Sequence, residues 1–395
     1  MQKVLNLPNK LRLIYLFAYA CAVCWVPVFA LYYKKAGLSG VQIGILASIP
    51  PAIYFVVQPF WGFWADRIGR KKLLIIVMIL SASVFLFFPQ HGTFLHLFLL
   101  TLALGIFWST VHPLVDCMTL DMVANSDERA FSFFRMWGSI GWSAGSLVMT
   151  YINLSDNLVF NFRLASVFLV LSLLIVLTIK PIKSGSETNI FDLKISNIRE
   201  LLRNIRLISF LVIALVIAIL TAPIWYYTSI FYSDIGASSS LISLVYGLQG
   251  LIEIPFFFIA NYFIKRYGLY QMLVFSFYIN ALRSFLYAIV PSPQLAISIE
   301  LLQGISWALM WVCCVEYVNK VVPQHWRATG QSLLWSVFLG AGTIIGNIWT
   351  GFLYEHITIQ KVFLFNSIGL LIFSILVTFY IVRYRAKDKV NFAKN

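Results

Sequence analysis

Residues 62–72 read GFWADRIGRKK. Asp66, Arg67, Arg70, Lys71 and Lys72 crowd into this short stretch. The chain on both sides is apolar: PAIYFVVQPFW (51–61) precedes it and LLIIVMILSASVFLFF (73–88) follows. An apolar run of 18 or more residues is long enough to cross a hydrocarbon core of about 30 Å. The motif is therefore a short polar joint between two membrane-crossing helices.

The same alternation continues along all 395 residues. Hydrophobic residues make up 60% and charged residues 11%, against about 25% charged in a soluble domain. The apolar segments are too long and too uniform for barrel strands, which alternate. They fall at 11–33, 41–63, 72–89, 93–122, 131–153, 158–180, 207–231, 238–264, 270–290, 294–319, 328–351 and 358–383. The fold class is an all-α polytopic membrane protein with twelve transmembrane helices in two six-helix bundles. The expected organisation is an N-terminal bundle at 1–180, a cytoplasmic central loop at 181–206, a C-terminal bundle at 207–384 and a cytoplasmic tail at 385–395. The first run is too long for a signal peptide and another span follows directly.

The net charge of +14 reads as topology, not as nucleic-acid binding. Arg67, Arg70, Lys71, Lys72, Arg129, Lys265, Arg266, Lys320 and Arg327 lie after even-numbered spans, and Lys3, Lys10 and Arg12 lie at the start. The opposite loops hold only Lys34, Lys35, Arg163 and Lys361. The positive-inside rule places both termini in the cytoplasm, with the protein in the inner (cytoplasmic) membrane. Cys21, Cys24, Cys117, Cys313 and Cys314 all sit in apolar runs and read as packing residues. Gly138, Gly141 and Gly145 make one side of the fifth span small enough for close helix approach.

An internal repeat underlies the pattern. The loop NYFIKRYGLYQ (261–271) lies 199 residues after the opening motif, matching Arg67 to Arg266 and Gly69 to Gly268. Inverted or parallel repeats are a common plan for secondary transporters.

With the joint, the span count and the repeat in place, the chain resembles the major facilitator superfamily. Gly62, Asp66, Arg67, Gly69, Arg70 and Lys71 fit that family's G-x-x-x-D-R-x-G-R-K loop, and the resemblance implies a conformational latch there. Further stretches, VQPFWGFWADRIGRKKLL (57–74), FFRMWGSIGW (133–142) and Glu253 through KRYG (265–268) to Arg283, are similar to the lactose permease and phenylpropionate transporter branch. That resemblance implies that Arg135, Asp116, Trp142 and Arg283 bind substrate and that Glu253 takes part in proton coupling. Gln303 stands where the branch often has a histidine, and Ser306 where lactose permease has a glutamate. Both departures put lactose itself in doubt. Glu300 is a second candidate for proton coupling, and Gln303 a further candidate for solute contact.

The buried charges can be weighed without the family. Asp116 and Arg135 flank the loop between spans four and five and lie roughly 8–12 Å inside the helix ends. Glu253 and Arg283 each stand 15 residues from Gly268 and reach roughly 18–20 Å into the membrane. A charge at the bilayer centre costs about 2.5–3.5 kcal/mol or more, so such groups face an interior and pair with one another. Pairing of Asp116 with Arg135, and movement of Arg283 to and from Glu253, are the expected arrangements.

The sequence contains no phosphate-cradling loop, metal-ligand cluster or nucleophile triad. The expected activity is secondary active transport of a small polar solute by alternating access, without cofactor or metal, and not an enzyme. Protons and membrane lipid are the other expected partners, and a monomer the expected state. Sugars, nucleosides and small aromatic acids all suit Arg135 and Trp142, and buried carboxyl–arginine pairs favour proton symport. Proton-driven efflux of amphipathic compounds and a non-transporting membrane receptor on the same fold are the alternatives.

Overall fold

The computed structural model describes residues 6–89, 91–124, 131–152, 157–179, 203–322 and 327–392. The expected central loop therefore lies almost wholly outside the described residues, as do the surroundings of Gly62 and the side chain of Asp66. Among the described residues, nine helical stretches are long and apolar enough to cross a membrane, from Leu7–Lys35 to Ile359–Arg383. Three further helices stand where the sequence places spans: Gly40–Ile68, Arg70–Leu86 and Phe131–Ile152. The Arg70–Leu86 helix is only 17 residues long, and Phe131–Ile152 carries Arg135 among several serines and glycines.

Helix breaks follow local chemistry. Ser39 caps Gly40–Ile68 in a reciprocal capping box with Gln42. Pro113 cannot donate to the carbonyl four residues earlier and its ring collides with that carbonyl. The chain accordingly turns at Ser109 and Thr110, between the Phe94–Trp108 and Val111–Ala124 helices.

Four glycines with positive φ mark the repeat: Gly37 (84°) and Gly236 (89°), Gly69 (94°) and Gly268 (94°). Each pair is 199 residues apart (37 to 236, 69 to 268), the spacing read from the sequence. The hydrogen bonds repeat as well. Gly37 and Gly236 donate to Lys34 and Ser233, and Leu38 and Ala237 donate to Tyr33 and Tyr232, closing two matching helix ends. Gly69 and Gly268 each serve as a one-residue joint between consecutive helices.

The chain forms two compact units, residues 1–194 with 228–251, and residues 195–227 with 252–395. In the first, the Leu7–Trp25 helix lies against Phe131–Ile152. A Cβ added at Gly141 would overlap the Leu16 carbonyl, and one at Gly145 would come within 2.8 Å of the Ala20 Cα. The small side foreseen on the fifth span is the surface that allows this approach. Residues 228–251 join this unit through serine hydroxyls on main-chain carbonyls: Ser240 to Thr150 (2.6 Å), Ser143 to Gly247 (3.3 Å) and Ser146 to Ser243. Lys34 and Asp234 form an ion pair here.

The second unit is built on a core that includes Phe210, Phe277, Met310, Cys313, Cys314, Leu334 and Phe338. All five cysteines are free thiols, in keeping with packing roles. Tyr227 is fully buried and Trp225 meets Trp307 edge to face at 4.4 Å, so residues 223–227 are largely core.

Candidate functional site

Each unit carries its own cluster of polar side chains. In the first, Tyr15 and Tyr19 lie one turn apart on the Leu7–Trp25 helix, on one face. The Tyr15 hydroxyl donates to Asp116 Oδ1 at 2.5 Å. The Arg135 guanidinium carbon stands 4.2 Å from the centre of the Tyr19 ring, a cation–π geometry. Tyr19 also contacts His112, whose ring is 4.2 Å away, and His112 meets Trp108 edge-on at 5.1 Å. Gly138 leaves the space for this arginine, since a Cβ there would come within 2.7 Å of Arg135 Nη1.

The expected Asp116–Arg135 ion pair is not formed within 4 Å among the described residues. Each charged group is instead taken up by its own tyrosine, and the two tyrosines come from a helix that the pairing argument left out. The YLFAY stretch (15–19) holds the signal, two tyrosines at i and i+4 inside an apolar span. Trp142 is half-buried, and its indole N–H donates to the Tyr246 carbonyl at 3.1 Å. That bond fixes the ring plane and leaves its faces for packing or stacking.

In the second unit, Arg283 is buried at 1% exposure and Glu300 at 0%. Arg283 Nη2 meets Glu300 Oε2 at 2.7 Å, and Tyr287 donates to Glu300 Oε1 at 2.7 Å. Arg283 Nη2 also donates to the Tyr287 hydroxyl at 3.0 Å. Its Nη1 donates to Gln303 Oε1 and, at 3.2 Å, to Ser306 Oγ. The other end of the Gln303 amide donates from Nε2 to Glu253 Oε1 at 2.6 Å. An amide carries both an acceptor and donors, so Gln303 can join a guanidinium to a carboxylate. Arg283 is thus paired with Glu300, and Glu253 is reached through Gln303. This replaces the expected direct Arg283–Glu253 contact.

Backbone geometry makes the cluster possible. Residues Glu300–Leu302 form a 3₁₀ turn and Gly304–Leu309 a π-helical turn, between Pro293–Ile299 and Met310–Val321. In a 3₁₀ turn, side chains at i and i+3 eclipse, which lines up Glu300 and Gln303 toward one guanidinium. Gly304 matters for a different reason. A Cβ there would overlap the Phe256 ring, and Phe256 stands one turn after Glu253. Glycine lets the two helices approach closely enough for Gln303 to touch Glu253. Tyr287 is one turn beyond Arg283 on the same helix and was not singled out from sequence.

The joint at residues 62–72 makes its own contacts. Lys71 Nζ donates to the Ile179 carbonyl at 2.6 Å and to that of Leu177 at 3.2 Å. The ammonium thus sits on the unsatisfied carbonyl end of the Val159–Leu177 helix. Arg67 is exposed and Arg70 half-buried.

The MFS_1 like family matches residues 9–365. The chain belongs to that family. It is therefore a multi-pass membrane transporter of the major facilitator superfamily, with that superfamily's twelve-span fold, and not an enzyme. It is 26% identical over 359 residues to an uncharacterized transporter, YwbF, of Bacillus subtilis (strain 168), covering 90% of this chain and 88% of the relative. It is 27% identical over 349 residues to the maltose permease of Geobacillus stearothermophilus, covering 87% and 86%. The crystal structure of the nucleoside transporter NupG superposes with a TM-score of 0.84 at 18% identity, covering 95% of this chain and 98% of that one.

Proposed function

We propose that this transporter imports a small polyhydroxylated solute, a sugar in the first instance, together with a proton. It acts as a monomer in the cytoplasmic membrane with both termini in the cytoplasm. The observation that carries the reading is the hydrogen-bonded set Glu253–Gln303–Arg283–Glu300–Tyr287. It holds two carboxyl groups against one permanent cation. Ionised throughout, it has a net charge of −1, and one proton makes it neutral. Isolated charge is costly in a low-dielectric interior, so proton uptake and the conformation of the cluster are coupled.

Glu253 is the proton carrier in this reading, because it is half-buried, whereas Glu300 is fully buried and ion-paired to Arg283. Loss of the Glu253 charge weakens its hold on Gln303, and Gln303 in turn holds Arg283. Arg135, Asp116, Trp142, Gln303 and Arg283 are the solute-binding residues in this reading. Arg135 supplies planar donors for hydroxyl oxygens, and Trp142 a ring for the apolar face of a sugar. The similarity to a maltose permease supports the sugar class. Residues 62–71, from Gly62 through Asp66, Arg67, Gly69 and Arg70 to Lys71, act as the conformational latch.

The test is uptake into sealed vesicles under an imposed pH gradient, with sugars, nucleosides and aromatic acids offered in parallel. Sugar accumulation that collapses with an uncoupler and is lost in Glu253→Gln supports the proposal. No gradient-driven accumulation of any compound, or normal accumulation by Glu253→Gln, overturns it.

A further inference from the structure

The second unit contains a cavity of about 110 Å³ lined by Arg206, Phe210, Tyr270, Tyr317, Lys320 and Tyr380, among others. That volume is well beyond what one water needs. It lies where the Ile205–Tyr226 and Leu269–Ile289 helices begin and Met310–Val321 ends. Tyr270 is thirteen residues before Arg283 on the same helix, so the cavity is about 20 Å along that helix from the buried cluster. It is a separate feature from the site above.

Its chemistry is one-sided. Among the described residues, two cations and three tyrosines contribute to the lining and no carboxylate does. Lys320 Nζ stands 5.5 Å from the centre of the Tyr270 ring, and Tyr317 stacks on Phe210 at 4.1 Å. Glu316, one turn before Lys320, is exposed and does not line the cavity.

The repeat shows how this corner differs from its counterpart in the first half. In the first half, Lys71 and Lys10 place their ammonium groups on the carbonyls of Ile179 and Thr178, where a helix ends. The counterpart of Lys71 is Tyr270, 199 residues later, and the counterpart of Ile179 is Thr378. The Ile359–Phe392 helix runs straight through Thr378 and offers no carbonyl end there. The adjoining helix surfaces are apolar and open: Ile205 is 72% exposed, Phe379 69% and Leu376 60%.

We propose that this cavity binds the phosphate headgroup of an anionic phospholipid. Arg206 and Lys320 meet the phosphate charge, the tyrosine hydroxyls supply hydrogen bonds, and the acyl chains lie on the exposed face around Ile205, Leu376 and Phe379. Basic pockets at membrane-protein helix ends bind anionic headgroups in this manner. A free phosphate would satisfy the cations but would make no use of the apolar face.

The test uses the purified full-length protein in detergent. Native mass spectrometry reads retained phosphatidylglycerol against phosphatidylcholine, with inorganic phosphate and glycerol 3-phosphate as competitors. Retention is expected to favour phosphatidylglycerol and to fall about fivefold for each cation removed in Arg206→Gln and Lys320→Gln. The charge-preserving Arg206→Lys and Lys320→Arg are expected to keep the preference. Equal retention of the two lipids by the unmodified protein overturns the proposal, whether or not any variant folds. Displacement of phosphatidylglycerol by inorganic phosphate or glycerol 3-phosphate at matched concentration overturns the lipid assignment in favour of a small-anion site. A failure here leaves the solute and proton reading untouched, since transport is not the readout.

Discussion

The Gln303 amide bridges two residues of opposite charge, accepting from Arg283 with its oxygen and donating to Glu253 with its nitrogen at 2.6 Å. Gln303→Leu keeps the approximate volume and removes both bonds. Leaving buried polar groups unsatisfied costs about 1–3 kcal/mol each. Gradient-driven uptake by this variant is expected to fall at least about tenfold, which corresponds to about 1.4 kcal/mol. Solute efflux down its own gradient is expected to suffer less. Equal loss in both assays would count against a coupling role for Gln303.

Glu300 and Arg283 form an ion pair with almost no solvent contact. Removing one partner of such a pair costs about 3–5 kcal/mol, because the other charge is left buried alone. Glu300→Gln should therefore lower the thermal midpoint of the detergent-purified protein clearly. Arg283→Gln combined with Glu300→Gln should recover much of that loss while uptake remains absent. A double variant as unstable as the single one would show that the pair does not act as a unit.

Gly304 is expected to tolerate no side chain. The added methyl of Gly304→Ala meets the Phe256 ring, and overpacking of this kind costs about 1–3 kcal/mol. Uptake should drop, and Phe256→Leu in the same chain should restore part of it. The measurement is uptake by the single and paired variants at equal expression.

Arg135 rests on Tyr19 rather than on Asp116. Tyr19→Leu should weaken solute binding by about 0.5–2 kcal/mol, the range for a cation–π contact. Arg135→Ala should abolish uptake with membrane insertion intact. Tyr15→Phe removes the hydroxyl that Asp116 accepts from, so its effect should resemble that of Asp116→Asn more than that of Arg135→Ala. Solute-binding curves for the four variants check the ordering.

The joints at Gly69 and Gly268 have φ 94° with ψ 132° and 145°. Non-glycine residues pay about 1–3 kcal/mol for such backbone conformations. Gly69→Ala and Gly268→Ala should both lower the thermal midpoint, each by a similar amount. Gly92→Ala makes the comparison, since Gly92 carries no positive φ.

The spans, their number and the repeat were legible because long apolar runs and glycine joints are local signals. The approach of helices at Gly141 and Gly145 could also be read from residue size alone. The partner of Arg283 could not. Glu253 and Arg283 stand at equal distances from Gly268, and that symmetry suggested a pair. Glu300 lies on a third helix, and it reaches the arginine where the backbone tightens into a 3₁₀ turn, which no residue pattern announced. Tyr15 and Tyr19 were missed because tyrosine in an apolar span reads as packing. Their roles depend on which helix lies beside Asp116 and Arg135, and that is a property of the assembled fold.

The repeat spacing of 199 residues carries Gly37 onto Gly236 and Gly69 onto Gly268. Applied to the charges, the same step carries Asp116 onto Val315 and Arg135 onto Leu334, while Glu253 and Arg283 trace back to Tyr54 and Val84. The hinges of the chain are duplicated, but its chemistry is not. The two halves share a mechanical frame, and a substitution at Asp116, Arg135, Glu253 or Arg283 meets no charged counterpart at the matching position of the other half.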